Sequence, residues 1–335
     1  MNTPINTPMN TALHTLLDAG LRLAPEYTDA HTAHRDPEPA YASHLPMALH
    51  ALSALGADDV TLRAFDERER AQMPPRAPWP GLDADEAALR RRIATEGAAS
   101  VLGERLPARM AHAGAVAFHG LIRTAHAWES GHAGELALAL AWWGQRDQAL
   151  PAPKPALPAP PVPDLALPAW LDALRALPQP DGLPRAWIAA RMQAWSASAG
   201  FQAVAPRLRL QASTLRDLAD WALGAYARSG NFTLLHAVTA TRALAVLGPQ
   251  LPPEATTGAL RAFSLHLAAA VLASGWRGDG SAPEPLGWPE LRARALAHTD
   301  DHAIKLTHAA WDWAQRGHDD ALCRQAATRA LGAAR

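Results

Sequence analysis

Fifteen histidines stand among 335 residues, and many fall inside apolar text, where an ionisable ring needs a reason to be. His44, His50, His119, His126, His236, His266, His302 and His308 all do so. A neutral imidazole is the commonest protein ligand for zinc, iron and copper. Taken singly, each ring reads equally as a buried histidine hydrogen-bonded to a carbonyl or carboxylate. Spacing prunes the metal-binding combinations. His112, His119 and His126 are seven apart, on one helical face but about 10 Å from one another along the axis. With metal–nitrogen bonds of about 2 Å, one ion takes only one of them. The same separates His44 from His50, six residues on and past Pro46. A ligand at His44 or His119 therefore leaves His50 or His126 outside its shell, as a spectator or pocket lining. His302 and Lys305, three apart, point the same way, with His298 and His308 as flanking alternatives. His34-Arg35-Asp36 has the form of half a two-histidine-one-carboxylate iron site, set in a Pro-rich acidic loop. His14, His31, His132 and His318 read as solvated.

Three carboxylates accompany these rings. Asp300 and Asp301 read as helix caps, a role compatible with orienting a ligating imidazole. Glu129 closes the helix of His119 and His126 and either orients a ligand or pairs with an arginine. Trp128, Trp311 and Trp313 are candidates to wall a pocket for a flat ring. Arg123, one turn past His119, would balance an anionic substrate or pair with Glu129. Lysine is rare: of 31 basic residues only Lys154 and Lys305 are lysines. A lysine between Ile304 and Leu306 therefore invites a question that an arginine would not.

The elements that must position these residues are helical. Alanine is abundant while Val, Ile, Tyr and Phe are scarce, which favours helices over strands. Helical periodicity predicts a helix after Ser43-His44-Leu45 with Pro46 in its first turn and Gly56 as its stop. It predicts others over 111–128, 134–143 and 232–247 (N-capped by Asn231), a nearly all-apolar one over 259–274, and one over 302–315 behind Asp300-Asp301. Residues 151–168, PAPKPALPAPPVPDLALP, can neither be helical nor pair in a sheet and read as a strap or linker. The fold class is all-α, a single multi-helix domain over 1–335, with residues 1–20 expected to be a mobile N-terminus. Several function classes drop out. The balance of 31 basic against 32 acidic residues argues against nucleic acid as a partner. The N-terminus MNTPINTPMNTALHTLL has neither the basic start nor the apolar run of a secretion signal. The longest apolar stretches, such as 136–143 and 265–273, read as too short to span a bilayer, so no membrane partner is expected. A single cysteine, Cys323, excludes an intrachain disulfide and fits a reducing compartment; the expected location is cytoplasmic. No Gly-x-Gly-x-x-Gly follows a strand, so no flavin or nicotinamide site of the usual βαβ kind is expected.

Four blocks, in order, carry a resemblance. His44-Leu45-Pro46-Met47-Ala48-Leu49 with Leu55-Gly56-Ala57 resembles the first signature of the questin oxidase-like family. Ala117-Phe118-His119-Gly120-Leu121-Ile122-Arg123 with Glu129-Ser130-Gly131 resembles the second. Asn231-Phe232-Thr233-Leu234-Leu235-His236-Ala237-Val238-Thr239 and Asp301-His302-Ala303-Ile304-Lys305-Leu306-Thr307 resemble the third and last. The family includes enzymes of fungal aromatic-polyketide pathways that oxidatively open anthraquinone-type rings by Baeyer–Villiger-like or dioxygenase chemistry. The resemblance implies an all-helical oxygenase with a non-haem metal held by one histidine from each block: His44, His119, His236 and His302. This chain departs from the family in being shorter, and in carrying His126 and His308 where an aromatic and an acidic residue are expected. The last block also gives Lys305 a role. A buried amine can lose its proton and take up carbon dioxide, becoming a carbamate and thus a hard anionic oxygen ligand; the other reading is an ion pair with Asp301 or Asp312.

The expectation is thus a flavin-free, metal-dependent oxidoreductase. It would be a non-haem Fe(II) oxygenase, with zinc as the other metal, acting with O₂ on a small polycyclic aromatic; a need for NADPH is left open. The metal would be held by His44, His119, His236, His302 and Lys305, with Glu129, Asp300 and Asp301 orienting the ligands and Arg123, Trp128 and Trp311 lining the substrate pocket. The rivals are a metal-dependent hydrolase with a carbamylated lysine and a non-catalytic helical binding protein.

Overall fold

The computed structural model describes residues 11–27, 41–146, 149–150, 163–185 and 187–332. Among them are sixteen α-helices and one two-stranded ribbon. The chain starts with α1 (Thr11–Gly20) and the antiparallel pair β1 (Glu26–Tyr27) and β2 (Tyr41–Ala42). Then follow α2 (Leu45–Ala54), α3 (Asp59–Arg70), α4 (Pro80–Glu96), α5 (Ala98–Met110), α6 (His119–Ser130) and α7 (Ala133–Gln145). The second half holds α8 (Leu167–Arg175), α9 (Ile188–Ser196), α10 (Ala199–Val204), α11 (Thr214–Ser229), α12 (Phe232–Leu247) and α13 (Pro253–Ser274), and then α14 (Trp288–Leu296), α15 (Asp301–Gln315) and α16 (Asp320–Gly332). The fold is all-α. One apolar core runs through the chain from Ala42 to Ala330, with a second cluster under α1, α2 and α3.

Four of these helices matter most. α2 packs on α6, α6 on α12, α12 on α15, and α15 back on α2, which closes a ring of four around one axis. Their ends are set by local chemistry. The Asn231 side chain accepts from the Thr233 and Leu234 amides to start α12, and Gly230 in the left-handed region (φ 62°) ends α11 just before it. Asp300 accepts from the His302 amide at 2.8 Å to start α15. Pro46 occupies the first turn of α2, where its missing N–H costs nothing. α12 is buried on almost every side, which its near-continuous apolar text requires.

Several expectations need correction. Residues 11–20 are not a mobile terminus: Leu13, Leu16 and Leu17 are buried and α1 packs on α2 and α3. The helix expected over 111–128 begins only at His119, because Val116, Ala117 and Phe118 all take left-handed backbone conformations (φ 47°, 53° and 69°). Two helical stretches, Phe232–Gln250 and Pro253–Ser274, are long and apolar enough to cross a membrane by length and composition, although the shorter apolar runs were read as too short; most of the first and over half of the second is buried inside the protein. Of the Pro-rich segment, residues 151–162 lie outside the described residues, as do residues 1–10. The end of that segment does not behave as expected: Leu165 pairs with Leu208 by a parallel bridge, and α8 starts at Leu167 with Pro168 in its first turn, where a missing N–H is tolerated.

Candidate metal centre

The rings of His44, His119, His236 and His302 surround one space. Ring centroids lie 4.7 Å apart for His44–His119, 4.5 Å for His44–His302, 5.0 Å for His119–His236 and 5.5 Å for His236–His302. One ring comes from each of the four central elements: the residue capping α2, the first residue of α6, the second turn of α12 and the first turn of α15.

In every one of the four, Nδ1 is engaged by an oxygen that can only accept. His44 Nδ1 donates to Asp301 Oδ2 at 2.5 Å and His302 Nδ1 to Asp301 Oδ1 at 2.7 Å. His119 Nδ1 donates to the Val116 carbonyl at 2.6 Å, and His236 Nδ1 to the Phe232 carbonyl at 2.8 Å. The proton of each neutral ring therefore sits on Nδ1 and the lone pair on Nε2. His44 Nε2 and His119 Nε2 face each other at 2.8 Å, and His302 Nε2 is buried with no hydrogen-bond partner. Lone pairs directed at one another at that distance repel unless a cation or proton lies between them. A proton is disfavoured: burial pushes His44 down to about 4 in spite of Asp301 and pushes His119 and His236 well below the ordinary histidine range. This is the arrangement a metal-binding histidine set requires, with the far ring nitrogens held by carbonyls and a carboxylate.

Asp301 is the hub. It is held ionised, because although burial opposes its charge, His44, Lys305 and His302 together outweigh that and hold it well below the usual carboxylate range. Lys305, buried on the next turn of α15, places Nζ 3.7 Å from Asp301 Oδ2. Asp300 caps α15 and stands 3.5 Å from His302 Nδ1.

The histidines face a cleft of about 860 Å³, lined by Tyr27, Tyr41, Trp187 and Ile188 as well as by Phe232, Val116, Glu69, Arg146 and the four imidazoles. This volume is within the usual range for small-molecule sites. Its walls are aromatic: Tyr27 stacks on Tyr41 (5.8 Å, 29°), Trp187 meets Tyr41 edge-on at 5.3 Å, and Phe232 meets both His236 (4.7 Å) and His302 (4.8 Å). Phe232 is 42% exposed, an unusual cost for a large ring that is explained by its place at this opening. Glu69, among the lining residues, has its carboxyl pushed up by burial and by Asp301 and Asp300, against the pull of Arg68.

Four expected site residues lie elsewhere. Arg123 is buried in a two-pronged pair with Glu135 (2.6 and 3.1 Å) and bonds the Pro25 carbonyl, so it neither lines the cleft nor pairs with Glu129. Trp128 packs against the main core. Trp311 stands edge-on to Trp288 at 4.9 Å under the Arg292 guanidinium. Glu129 binds Arg242 at 2.7 Å, at the level of His50, His126 and His308. For Arg123 and Glu129 the place on α6 was read from helical spacing and the partner was decided by packing against other helices; Glu129 takes the arginine pairing that was its other reading. The aromatic wall was missed because Tyr27 and Tyr41 sit on a two-residue ribbon and Trp187 in a loop, where periodicity carries no signal. Phe232, directly after a helix cap, was the one legible hint. His50, His126 and His308 do not line the cleft; they form a buried triad of their own. His34 and Asp36 lie outside the described residues.

Compared with known protein families and with curated proteins, the chain matches no family model and no curated sequence.

Proposed function

We propose that this chain is a flavin-free, metal-dependent oxidoreductase, a non-haem Fe(II) oxygenase acting on a flat polycyclic aromatic of the anthraquinone type. The observation that carries the reading is the convergence of ligand nitrogens from His44, His119 and His302 within 4.8 Å of one another, with the His236 ring closing the group, at an aromatic-lined cleft, each ring fixed by an acceptor on its Nδ1. His44, His119, His236 and His302 would hold the ion, and bound Fe(II) would supply activation of O₂. Asp301 keeps the protons of two rings on Nδ1. Tyr41, Trp187 and Phe232 would sandwich a planar substrate and exclude water from its face. Glu69, with its raised carboxyl, is placed to hold or release a proton at the cleft wall.

Lys305 would serve as the fifth ligand once carboxylated. Its present partner is Asp301, and carboxylation would set two anions side by side. The carbamate is therefore stable only with a cation among the imidazoles, and metal loading should rise with added bicarbonate. The reading is tested by elemental analysis of protein purified without a nickel column. About one iron per chain, rising when bicarbonate is present, supports it. Zinc with hydrolytic turnover favours a hydrolase, and a metal-free protein that will not take up iron leaves a helical binding protein.

A further inference from the structure

The three helices that supply His44, His119 and His302 carry a second layer of histidines six or seven residues further on. His50 is on α2, His126 on α6 and His308 on α15. By helical rise this layer lies roughly 9–10 Å along the helices from the first. All three rings are buried, and one nitrogen from each lies within 4.8 Å of the other two. The fourth helix, α12, supplies His236 to the first layer and Arg242 to the second.

We propose that His50, His126 and His308 form a second metal site, separate from the cleft, for a divalent ion of the zinc type. His50 Nδ1 and His126 Nδ1 approach to 2.9 Å, and their centroids stand 5.4 and 5.5 Å from that of His308. His308 Nδ1 is buried with no hydrogen-bond partner, and its Nε2 has only a long 3.4 Å approach from Arg242 Nη2. Without an ion, three buried imidazoles thus share one good hydrogen bond, and an unmatched buried ring nitrogen is costly. The rings are ready as ligands, since burial keeps His50 near 4 and His126 and His308 well below the ordinary range. Arg242 does not repel a cation as a lone guanidinium would, because Glu129 holds its Nη2 at 2.7 Å and Asp312 its Nε at 2.9 Å. Lys305 lies one turn away and is engaged by Asp301, while Arg316 reaches Asp312 from the outer side. Three imidazoles around an ion, with a fourth position for water, is a familiar zinc coordination. Since the site faces no substrate space, the ion's role is to pin α2, α6 and α15 together beneath the cleft.

The test uses the full chain, stripped with a chelator and titrated with Co²⁺, with bound metal counted by equilibrium dialysis and visible absorption. The expected stoichiometry is two for the wild type, one for His126→Gln and one for the double variant His44→Gln/His302→Gln. Metal should raise the melting temperature of the double variant, and the His126→Gln protein should lose that increment. One bound ion that survives His126→Gln and vanishes in the double variant overturns the proposal. One bound ion with the opposite pattern supports it and removes the cleft site instead. If His126→Gln does not fold, the double variant decides alone: one Co²⁺ bound supports the site, none overturns it.

Discussion

Replacing Asp301 with Asn tests whether this carboxylate sets the protonation of the cleft imidazoles. Its two oxygens accept from two rings, His44 Nδ1 at 2.5 Å and His302 Nδ1 at 2.7 Å. Asn offers one oxygen and one NH₂, so only one ring keeps its acceptor. The other then meets a donor and must move its proton to Nε2, which removes that lone pair from the centre. Losing such a partner costs about 10- to 100-fold in metal affinity, or about 1.4 to 2.7 kcal/mol. The same change removes a carboxylate 3.7 Å from the buried Lys305 ammonium, so the metal-free protein should also be less stable. Affinity is read by competition with a chromophoric chelator, and folding by circular dichroism at the temperature of the titration. Asp300→Ala is the control. Asp300 bonds the His302 amide at 2.8 Å but stands 3.5 Å from its ring. Its loss should therefore cost about 1 kcal/mol of stability as a missing cap and leave affinity unchanged. A folded Asp301→Asn protein with wild-type affinity, or equal affinity losses in both variants, would refute the tautomer argument.

Three further outcomes follow from the same contacts. Lys305→Arg keeps the charge but cannot carry a carbamate, so iron content and turnover should collapse while the far-UV helical signal stays; full iron in that variant rules out lysine as a ligand. Metal-free protein should unfold in mild acid. Unfolded histidines take protons near 6.5, whereas His44, His50 and His266 are held near 4 by burial, and burial also pushes His119, His126, His236 and His308 well below the ordinary histidine range. Below 6.5 the unfolded chain thus binds more protons than the folded one, and His44, His50 and His266 each withdraw on the order of 3 kcal/mol by pH 4, with the other four acting in the same direction. A circular-dichroism titration showing an intact metal-free fold at pH 4 would contradict this. Cys323 is buried with its thiol pushed up to about 12; a disulfide reagent at pH 8 should label it only after unfolding, and rapid labelling of the native protein would show the helix α16 to be open.

The fold was legible where local chemistry decides it. Asn231, Asp300 and Pro46 mark the starts of α12, α15 and α2 in the sequence as in the structure. The four cleft histidines are spread from 44 to 302, and no spacing rule connects them; only the order of the four blocks suggested grouping them. Arguments confined to one helix separated His50 from His44 and His126 from His119, yet they are silent about pairing across helices, and so the second triad was hidden. Arg123 shows the same limit. Its position one turn past His119 was right, but Glu135 on α7 claims it, and nothing in the sequence near Arg123 announces a partner on another helix.

The break before α6 is the least legible feature and the most consequential one. Apolar periodicity runs straight through 111–128, so a continuous helix would have cost nothing locally. Instead Val116, Ala117 and Phe118 hold left-handed conformations, which cost of order 1 kcal/mol or more per residue and are most unfavourable for a β-branched side chain. Tertiary contacts hold them there. Phe118 is fully buried, with its ring 6.0 Å from that of Phe263. Beside the turn, Gly114 leaves no room for a Cβ against His266 and Met192. The turn makes His119 the first residue of a helix and points the Val116 carbonyl at both its amide (3.2 Å) and its Nδ1 (2.6 Å). In an unbroken helix the Val116 carbonyl would be bonded to the residue-120 amide and lie along the helix axis, where it could not fix that ring. The strain therefore has a chemical return: it brings the Val116 carbonyl onto the His119 ring, which holds the proton on Nδ1 and leaves the Nε2 lone pair facing His44 at 2.8 Å.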